Sequence, residues 1–316
     1  MFISRSLLCA SVLLACSATA FAAAPMVKNP APGFFRMMLG DFEITVLSDG
    51  TVDLPADKLL TQTTPAKVQA ALAAAHLALP VETSVNAYLV NTGSKLVLID
   101  TGAAGLFGPT LGKLQANLKA AGYTPDQVDE IYITHMHGDH IGGLMAGEQR
   151  AFPNAVVRAE KADADFWLSK EKLDQAKGDA KQGFQAAQVS LGAWVKADKF
   201  KPFEGNVELV PGVKSYVTRG HTPGHSNYVV ESKGQKLMLI GDMIHVGAVQ
   251  FAEPSVTITF DSDNKKAAAA RQALFADAAK GGYWLGASHL QFPGIGHVQS
   301  QGKGYRWVPV NHIELR

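Results

Sequence analysis

The chain has 316 residues, of which 47% are hydrophobic and 18% are charged, and its formal net charge is +1. A charge this close to neutral, with no basic run, excludes a nucleic-acid-binding surface. The length fits one large domain or two small ones, and no low-complexity segment, long linker or repeat divides the chain.

The first 24 residues have the pattern of a secretory signal peptide. Arg5 supplies a positive charge, residues 7–15 form an apolar run too short to span a bilayer, and small-residue cleavage sites follow within 18–22. We therefore predict a signal peptide at 1–24 and a periplasmic or secreted protein. No later stretch is long and apolar enough to cross a membrane, so no membrane partner is expected once the signal is removed.

The rest of the chain, residues 25–316, is predicted to form a single domain. Both cysteines, Cys9 and Cys16, lie within the predicted signal, so a chain cut after it has no disulfide and no thiolate metal ligand. A lipoprotein processing site at Cys16 is a minor alternative, because Leu14 fits that motif poorly.

Hydrophobic periodicity and turn residues predict alternating strands and helices along this domain. The predicted strands lie at 42–47, 85–90, 95–99, 128–134, 155–159, 207–209, 213–217, 227–231, 236–240 and 283–287. The predicted helices lie at 65–78, 111–121, 162–172 and 264–279. The other segments are an extended arm at 25–38, a turn at 48–50 and a partly helical lid or insertion at 174–197. Two runs of strands, each followed by helices, predict two packed sheets with helices outside.

One loop carries an unusual concentration of metal-binding side chains. After an apolar run come His135, His137, Asp139 and His140 within six residues. Neighbouring residues of a strand point to opposite faces, so only a tight loop with a helix beginning near His140 brings these side chains together. Three imidazoles and a carboxylate predict a transition-metal site suited to zinc. The alternative is a solvated histidine-rich loop.

Three further candidate ligands lie just past the ends of predicted strands, which is also where the first loop lies. They are His221, Asp242 and His289. Side chains in this position gather at one edge of a sheet scaffold, and together they suffice for two metals that share a water. The predicted sets are His135, His137 and His221 for one metal, Asp139, His140 and His289 for the other, and Asp242 as the bridge between them.

These motifs resemble those of the metallo-β-lactamase fold superfamily. His-x-His-x-Asp-His at 135–140, Gly-His-Thr-Pro-Gly-His at 220–225, Gly-Asp at 241–242 and Ser-His at 288–289 follow the order of that family. The resemblance implies an α/β (α+β) chain folded as a four-layer αββα sandwich. It also places Asp100 beneath the metal loop, where the carboxylate orients a ligand.

A closer resemblance covers the chain from about Phe34 to the end. Stretches at 39–43, 106–110, 203–211 and 302–305 are similar to those of methyl parathion hydrolases and dihydrocoumarin hydrolases. This similarity implies secretion, a homodimer and two divalent metals, most simply zinc. The same ligand types also accept manganese, cobalt, iron or cadmium.

The resemblance also implies an aromatic pocket for the leaving group, formed by Phe107, Trp167 and Phe184. The alternative is that all three are ordinary core aromatics. His225 is predicted to brace the turn at 222–224 through hydrogen bonds.

Departures from the methyl parathion hydrolases bear on the substrate. His245 stands where those enzymes are aliphatic, Ile258 and Phe260 are bulkier than expected, and 59–60 is Leu-Leu where they carry an arginine. These differences favour a lactone or carboxylic ester over a phosphotriester. His245 is therefore a candidate substrate contact and catalytic residue, and the alternative is a histidine without substrate contact.

The sequence thus predicts a dinuclear metal-dependent hydrolase of small-molecule lactones and aryl esters, with weak organophosphate hydrolysis. A metal-bridging hydroxide would be the nucleophile, the metals would stabilise the oxyanion, and Asp242 would relay a proton. The first alternative is methyl parathion hydrolysis as the main activity. An oxygen-dependent iron enzyme and a non-catalytic binding protein are less favoured, because both ligand sets are complete.

Overall fold

The computed structural model describes residues 24–28, 30–312 and 314–315. Except for residue 24, the predicted signal peptide lies outside the described residues. One compact unit begins at Pro32 and contains all the helices and strands described below. Within the described ranges, no helix has the length and apolarity needed to cross a membrane.

The strands alternate with helices, as the sequence predicts, but they are more numerous. The strands are β1 (Phe34–Leu39), β2 (Phe42–Leu54), β3 (Leu60–Thr61), β4 (Val81–Asn91), β5 (Leu96–Ile99), β6 (Glu130–Tyr132), β7 (Met145–Ala146), β8 (Gln149–Arg150), β9 (Val156–Arg158), β10 (Glu208–Val210), β11 (Val213–Val217), β12 (Ser226–Ser232), β13 (Gln235–Leu239), β14 (Thr257–Ile258), β15 (Trp284–Gly286), β16 (Ile295–Gln301) and β17 (Gly304–Pro309).

The helices lie between and after these strands. They are α1 (Ala56–Leu59), α2 (Pro65–Ala74), α3 (Leu114–Ala120), α4 (Gly138–Ile141), α5 (Lys161–Trp167), α6 (Lys170–Gln175), α7 (Gly178–Lys196), α8 (Gly247–Gln250) and α9 (Asn264–Gly281). Single 3₁₀ turns occur at Pro125–Gln127 and Gly142–Leu144.

Two sheets form the middle of the molecule. The first has the order β1-β2-β4-β5-β6-β9 and the second β10-β11-β12-β13-β15-β16-β17. Their inner faces share one apolar cluster, in which the rings of Tyr132 and Tyr228 lie 5.5 Å apart. The outer face of the first sheet packs against α3 and α7, and that of the second packs against α9. This arrangement is the predicted four-layer αββα sandwich.

The direction of the strands explains why loops from both sheets meet. In the first sheet β5, β6 and β9 run parallel, and in the second β13 is parallel to β15. The carboxyl ends of parallel strands meet at the same edge of a sheet, and that edge is where ligand-binding loops gather in α/β folds. The loops after β5, β6, β13 and β15 carry Asp100, the metal loop, Asp242 and His289.

Several predicted boundaries are wrong near the ends of the domain. The arm predicted at 25–38 contains β1, which pairs antiparallel with β2. The turn predicted at 48–50 is a β-bulge, since β2 continues to Leu54 with a register shift between Ser48 and Gly50. The strand near 283–287 is not the last, because β16 and β17 follow it. These two strands form a hairpin and extend the second sheet.

The segment predicted as a lid or insertion is a helix of the core. Phe184, Ala187, Leu191 and Trp194 of α7 are buried in the same cluster as the first sheet. Burying a single large apolar side chain contributes about 1.5–3 kcal/mol, so several of them hold α7 too firmly for a mobile lid. The single helix predicted at 162–172 is instead divided into α5 and α6.

Candidate metal centre

The seven predicted metal ligands converge at the edge where the loops of both sheets meet. They form two groups, and the donor atoms of each group all lie within 4.8 Å of one another. The first group is His135, His137, His221 and Asp242, and the second is Asp139, His140, His289 and Asp242. These are the two sets that the sequence predicts, with Asp242 common to both.

Asp242 faces the two groups with different oxygen atoms. Its Oδ2 lies 3.5 Å from Nε2 of His135 and 3.2 Å from Nε2 of His221. Its Oδ1 lies 3.1 Å from Nε2 of both His140 and His289. A carboxylate in this position is suited to bridging two cations.

The chemistry of the donors fits divalent metal ions. Oδ1 of Asp242 and Nε2 of His140 are buried without a hydrogen-bond partner, although they face each other. Nδ1 of His137 lies 3.0 Å from Nε2 of His135 and 3.1 Å from Nε2 of His221. Tetrahedral bonds of about 2.0–2.1 Å separate the ligand atoms by about 3.4 Å, which is close to these distances. Unpaired buried polar atoms are costly, and a shared cation would satisfy them.

The local sequence explains how one loop supplies four donors. The strand β6 ends at Tyr132, and His135 lies three residues after it. His137 is the residue before α4. The helix α4 begins at Gly138, so Asp139 and His140 lie on its first turn, and the His140 ring lies 4.0 Å from that of His135. The predicted helix start near His140 is confirmed.

Oxygen atoms around the site hold three of the imidazoles by their outer nitrogens. Nδ1 of His140 lies 2.8 Å from Oδ2 of Asp100, and Nδ1 of His221 lies 2.8 Å from Oδ1 of Asp261. Nδ1 of His289 lies 3.0 Å from the carbonyl oxygen of residue 84. Each oxygen can only accept a hydrogen bond, so each Nδ1 carries a proton and each Nε2 is the nitrogen that can bind a metal at the centre.

His225 is buried directly after the turn at 222–224, and its imidazole contacts residues outside that turn, so the predicted bracing of the turn stays a prediction. Its Nε2 accepts a hydrogen bond of 3.1 Å from the backbone N–H of Asp242, and its Nδ1 lies 2.9 Å from Oγ1 of Thr218. Burial and the neighbouring His221 lower the pKa of His225 to about 3. The neutral ring can therefore accept at Nε2 and fix the backbone that carries Asp242.

Electrostatics at the site favour a cation. Burial opposes charge on His221, but the carboxylates of Asp242 and Asp261 outweigh it and raise the pKa of His221 to about 9. The same balance, with Asp242 and Asp139, raises the pKa of His289 to about 10. The carboxylates thus draw positive charge into a buried space, and a divalent metal can take the place of these protons.

Two carboxylates that sequence reasoning missed support the ligand loops. Asp261 holds His221 and lies 3.9 Å from the buried guanidinium of Arg271. Asp163, at the start of α5, accepts hydrogen bonds of 3.0 Å from the N–H of Met136 and 2.9 Å from Oγ1 of Thr222. It therefore joins the metal loop to the turn of His221. Both residues contact ligand loops that are distant in the sequence, and no local motif marks either residue.

Of the three predicted pocket aromatics, Trp167 lies beside a ligand of the first group, Phe184 packs on Trp167, and Phe107 lies over Gly138. The Trp167 ring is 5.4 Å from that of His137, and the Phe184 ring is 4.9 Å from that of Trp167. Both belong to the core cluster of the first sheet, so the core interpretation also holds for them. Phe107 is 52% exposed, and a Cβ added at Gly138 would lie 3.2 Å from its ring.

The residues predicted to determine substrate preference differ in burial and in their distance from the candidate ligands. Nε2 of His245 lies 3.1 Å from Oδ2 of Asp242, and its ring stacks on that of His289 at 5.1 Å. Phe260 is exposed, with its ring 6.1 Å from that of His245. Ile258 is fully buried in a separate apolar cluster, and its contact with substrate stays a prediction.

The structure thus combines an αββα fold with two groups of histidine and aspartate side chains that could hold metal ions. A family model described as the Metallo-beta-lactamase superfamily matches residues 80–280, and the chain belongs to this superfamily. The chain is similar to a solved structure described as hydrolase AbOPH in beta lactamase superfamily, with 36% identity, a TM-score of 0.86, and coverage of 90% of this chain and 100% of that one.

Other similar proteins are lactonases. One is AidC, described as a dizinc quorum-quenching lactonase, with 28% identity, a TM-score of 0.83, and coverage of 89% of this chain and 99% of that one. Another is the N-acyl homoserine lactonase of Bacillus thuringiensis, which is 28% identical over 172 residues. That match covers 48% of this chain and only 60% of the lactonase.

Proposed function

We propose that the protein is a dinuclear metal-dependent hydrolase of lactones and aryl esters. The observation that carries the proposal is the carboxylate of Asp242, which turns one oxygen to each of two histidine-rich groups. The similarity to AidC and to the Bacillus lactonase supports the same class of reaction.

Seven residues would hold the two metals, which we propose to be zinc. They are His135, His137, Asp139, His140, His221, Asp242 and His289. Two such ions supply a hydroxide nucleophile at neutral pH and polarise the ester carbonyl. Asp100 and Asp261 fix the imidazoles in the tautomer that presents Nε2 to the centre. This arrangement needs no reorganisation of the ligands when substrate arrives.

The surroundings of the centre favour a substrate with an apolar part. Trp167 and Phe184 form a wall beside His137, while Phe107 lies over the metal loop and Phe260 beside His245. Aromatic walls bind apolar groups and exclude water from the polar reaction centre. Aryl esters, dihydrocoumarin and N-acyl homoserine lactones all combine an apolar group with an ester carbonyl.

Phosphotriester hydrolysis is the second candidate, because the wall formed by Trp167 and Phe184 also suits an aromatic leaving group. His245 distinguishes the two candidates, since its imidazole contacts Asp242 at a position we expect to be aliphatic in a phosphotriesterase. We expect His245→Leu to lower the lactone-to-phosphotriester ratio of kcat/KM by about tenfold, as is typical for one specificity contact. An unchanged ratio would remove His245 from the choice of substrate.

A substrate panel on metal-defined protein tests the proposal. Dihydrocoumarin, phenyl acetate, N-hexanoyl homoserine lactone and methyl parathion would be compared by kcat/KM before and after removal of metal by a chelator. The proposal predicts the highest values for lactones and aryl esters, complete loss on metal removal, and recovery when zinc is returned. Turnover that persists without metal, or a clear preference for methyl parathion, would overturn it.

We also propose that the chain is exported and forms a homodimer. The support is the sequence of the first 24 residues for export and the family resemblance for the dimer. N-terminal sequencing of the mature protein and its mass by light scattering test these two proposals separately.

A further inference from the structure

We propose that Asp49 is a positioning residue that fixes the loop over the mouth of the metal centre. This loop, residues 101–113, lies between β5 and α3 and carries Leu106 and Phe107 at its tip. By fixing that tip, Asp49 would favour substrates with a bulky apolar group over small ones. The selectivity part of the inference rests on the function proposed above.

Asp49 is the extra residue of the β-bulge in β2. Ser48 pairs with Asn86 and Gly50 pairs with Val85, so Asp49 has no partner on β4. Bulges redirect a side chain out of the regular alternation of a strand, and they often lie next to functional sites. Here the bulge directs a carboxylate that is only 1% exposed into the base of the loop.

The Asp49 carboxylate contacts both ends of the loop. Oδ2 accepts hydrogen bonds from the backbone N–H of Ala103, at 2.9 Å, and of Gly112, at 3.1 Å. Oδ1 accepts one from the N–H of Leu114, at 3.1 Å, and the backbone carbonyl of Asp49 accepts one from Lys113, at 3.0 Å. One residue therefore ties the start of the loop to its end.

The loop is also attached to the metal loop itself. The N–H of Thr101 donates to the carbonyl of His140 at 2.8 Å, and the N–H of Gly143 donates to the carbonyl of Gly102 at 3.1 Å. At the tip, Leu106 and Phe107 pack over Gly138, the residue between the ligands His137 and Asp139. The hydrogen bonds of Asp49 to both ends of the loop, which we call the clamp, thus determine the distance between the two apolar side chains and the ligands.

Loss of the clamp should affect large substrates more than small ones. Leu106 and Phe107 are each about half exposed, so neither is held by burial in a core. In Asp49→Asn the amide nitrogen replaces one carboxylate oxygen and cannot accept a hydrogen bond. At least one of the three backbone N–H groups would therefore lose its acceptor, and the segment between Ala103 and Gly112 would gain conformational freedom. A small lactone reaches the centre without touching the tip, whereas a bulky one depends on it.

The first test is Asp49→Asn, with Asp53→Asn as the matched control, because Asp53 is exposed on the same strand. Backbone hydrogen exchange should accelerate by about tenfold or more in Asp49→Asn for at least one of Ala103, Gly112 and Leu114, because only one acceptor oxygen remains. Bound metal should be unchanged, since none of the ligands contacts Asp49. Exchange that is unchanged would overturn the proposal.

The second test is a double-mutant cycle with Phe107→Ala. Asp49→Asn should lower kcat/KM for dihydrocoumarin by about tenfold and that for γ-butyrolactone by less than about twofold, because only the large substrate uses the tip. In the Phe107→Ala background, Asp49→Asn should change the dihydrocoumarin value by less than about twofold, because coupled residues are not additive. Equal losses for both lactones, or additive effects, would contradict a positioning role.

Two measurements remain decisive if Asp49→Asn does not fold. In the wild-type protein, the amides of Ala103, Gly112 and Leu114 should exchange more slowly than those of residues 105–108 at the tip. Phe107→Ala alone should lower the preference for dihydrocoumarin over γ-butyrolactone. Equal exchange along the loop, or an unchanged preference, would overturn the inference.

If the wild type hydrolyses no ester or lactone, the proposed function fails, while the exchange data still decide whether Asp49 clamps the loop.

Discussion

The metal centre differs from its mouth, the group of exposed apolar side chains around it, in burial and in how firmly the side chains are held. The centre is buried, with His135, His140 and Asp242 each no more than 3% exposed, and carboxylates or backbone oxygens hold its imidazoles. The mouth is open, with Phe107 52% and Phe260 43% exposed. The candidate ligands are thus fixed by buried contacts at the sheet edge, whereas the residues that we propose to select the substrate lie on exposed loops.

The exposed phenylalanines mark the extent of the mouth. In the described part of the chain, Phe107, Phe260 and Phe292 are the exposed residues of this type. Phe107 packs on the metal loop, Phe260 lies beside His245, and Phe292 comes three residues after His289. Exposed apolar side chains grouped around a polar centre are typical of a binding site.

The largest effect is expected from Asp242, the residue shared by both ligand groups. Asp242→Asn keeps the shape of the side chain but removes the charge that both groups use. We expect bound zinc to fall below two per chain and kcat/KM to fall by about a thousandfold or more. Metal analysis and steady-state kinetics on the same sample measure both.

The matched control for this change is Asp126→Asn, since Asp126 is exposed at the surface. Two bound metals and near-normal turnover in Asp242→Asn would show that the bridge is dispensable. The two ligand groups would then not depend on a shared carboxylate.

An intermediate effect is expected from Asp261, which holds His221 without being a ligand. Asp261→Ala should weaken metal binding by about 10–100-fold, as is typical when the partner of a ligating histidine is lost. Asp261→Asn should weaken it less, because the amide oxygen can still accept from Nδ1 of His221. Zinc affinity measured with a competing chelator separates the three proteins, and equal affinities would rule out this role of Asp261.

The smallest effect on the centre is expected from Phe107. Phe107→Ala should raise KM for aryl esters by about tenfold, because one aromatic contact with the substrate is lost, and should leave bound zinc unchanged. Val189→Ala on the exposed side of α7 is the control and should change neither quantity. Loss of metal from Phe107→Ala would show that the mouth and the centre are not separable.

The sequence predicts the candidate ligands better than the residues that support them, for a physical reason. His135 to His140 form a local motif, and His221, Asp242 and His289 each follow an apolar run that ends at the same sheet edge. Asp163 and Asp261 act through contacts with residues 27 to 59 positions away, so no local pattern reveals them.

Two errors in the fold have similar causes. Ser-Asp-Gly at 48–50 has turn composition, but pairing with β4 across the sheet makes it a bulge. The hairpin of β16 and β17 is polar on its outer side, which hides its strands from a search for apolar runs. By contrast, the helical spacing of Phe184, Ala187, Leu191 and Trp194 was a signal available in the sequence for α7.

The central claim is that the two ligand groups hold two metals and that both are needed for hydrolysis. Titration of metal-free protein with zinc, with bound metal and dihydrocoumarin turnover followed together, tests it most directly. We expect binding of two ions per chain and full activity only after the second is bound. Full activity with one ion, or turnover in protein without metal, would contradict it.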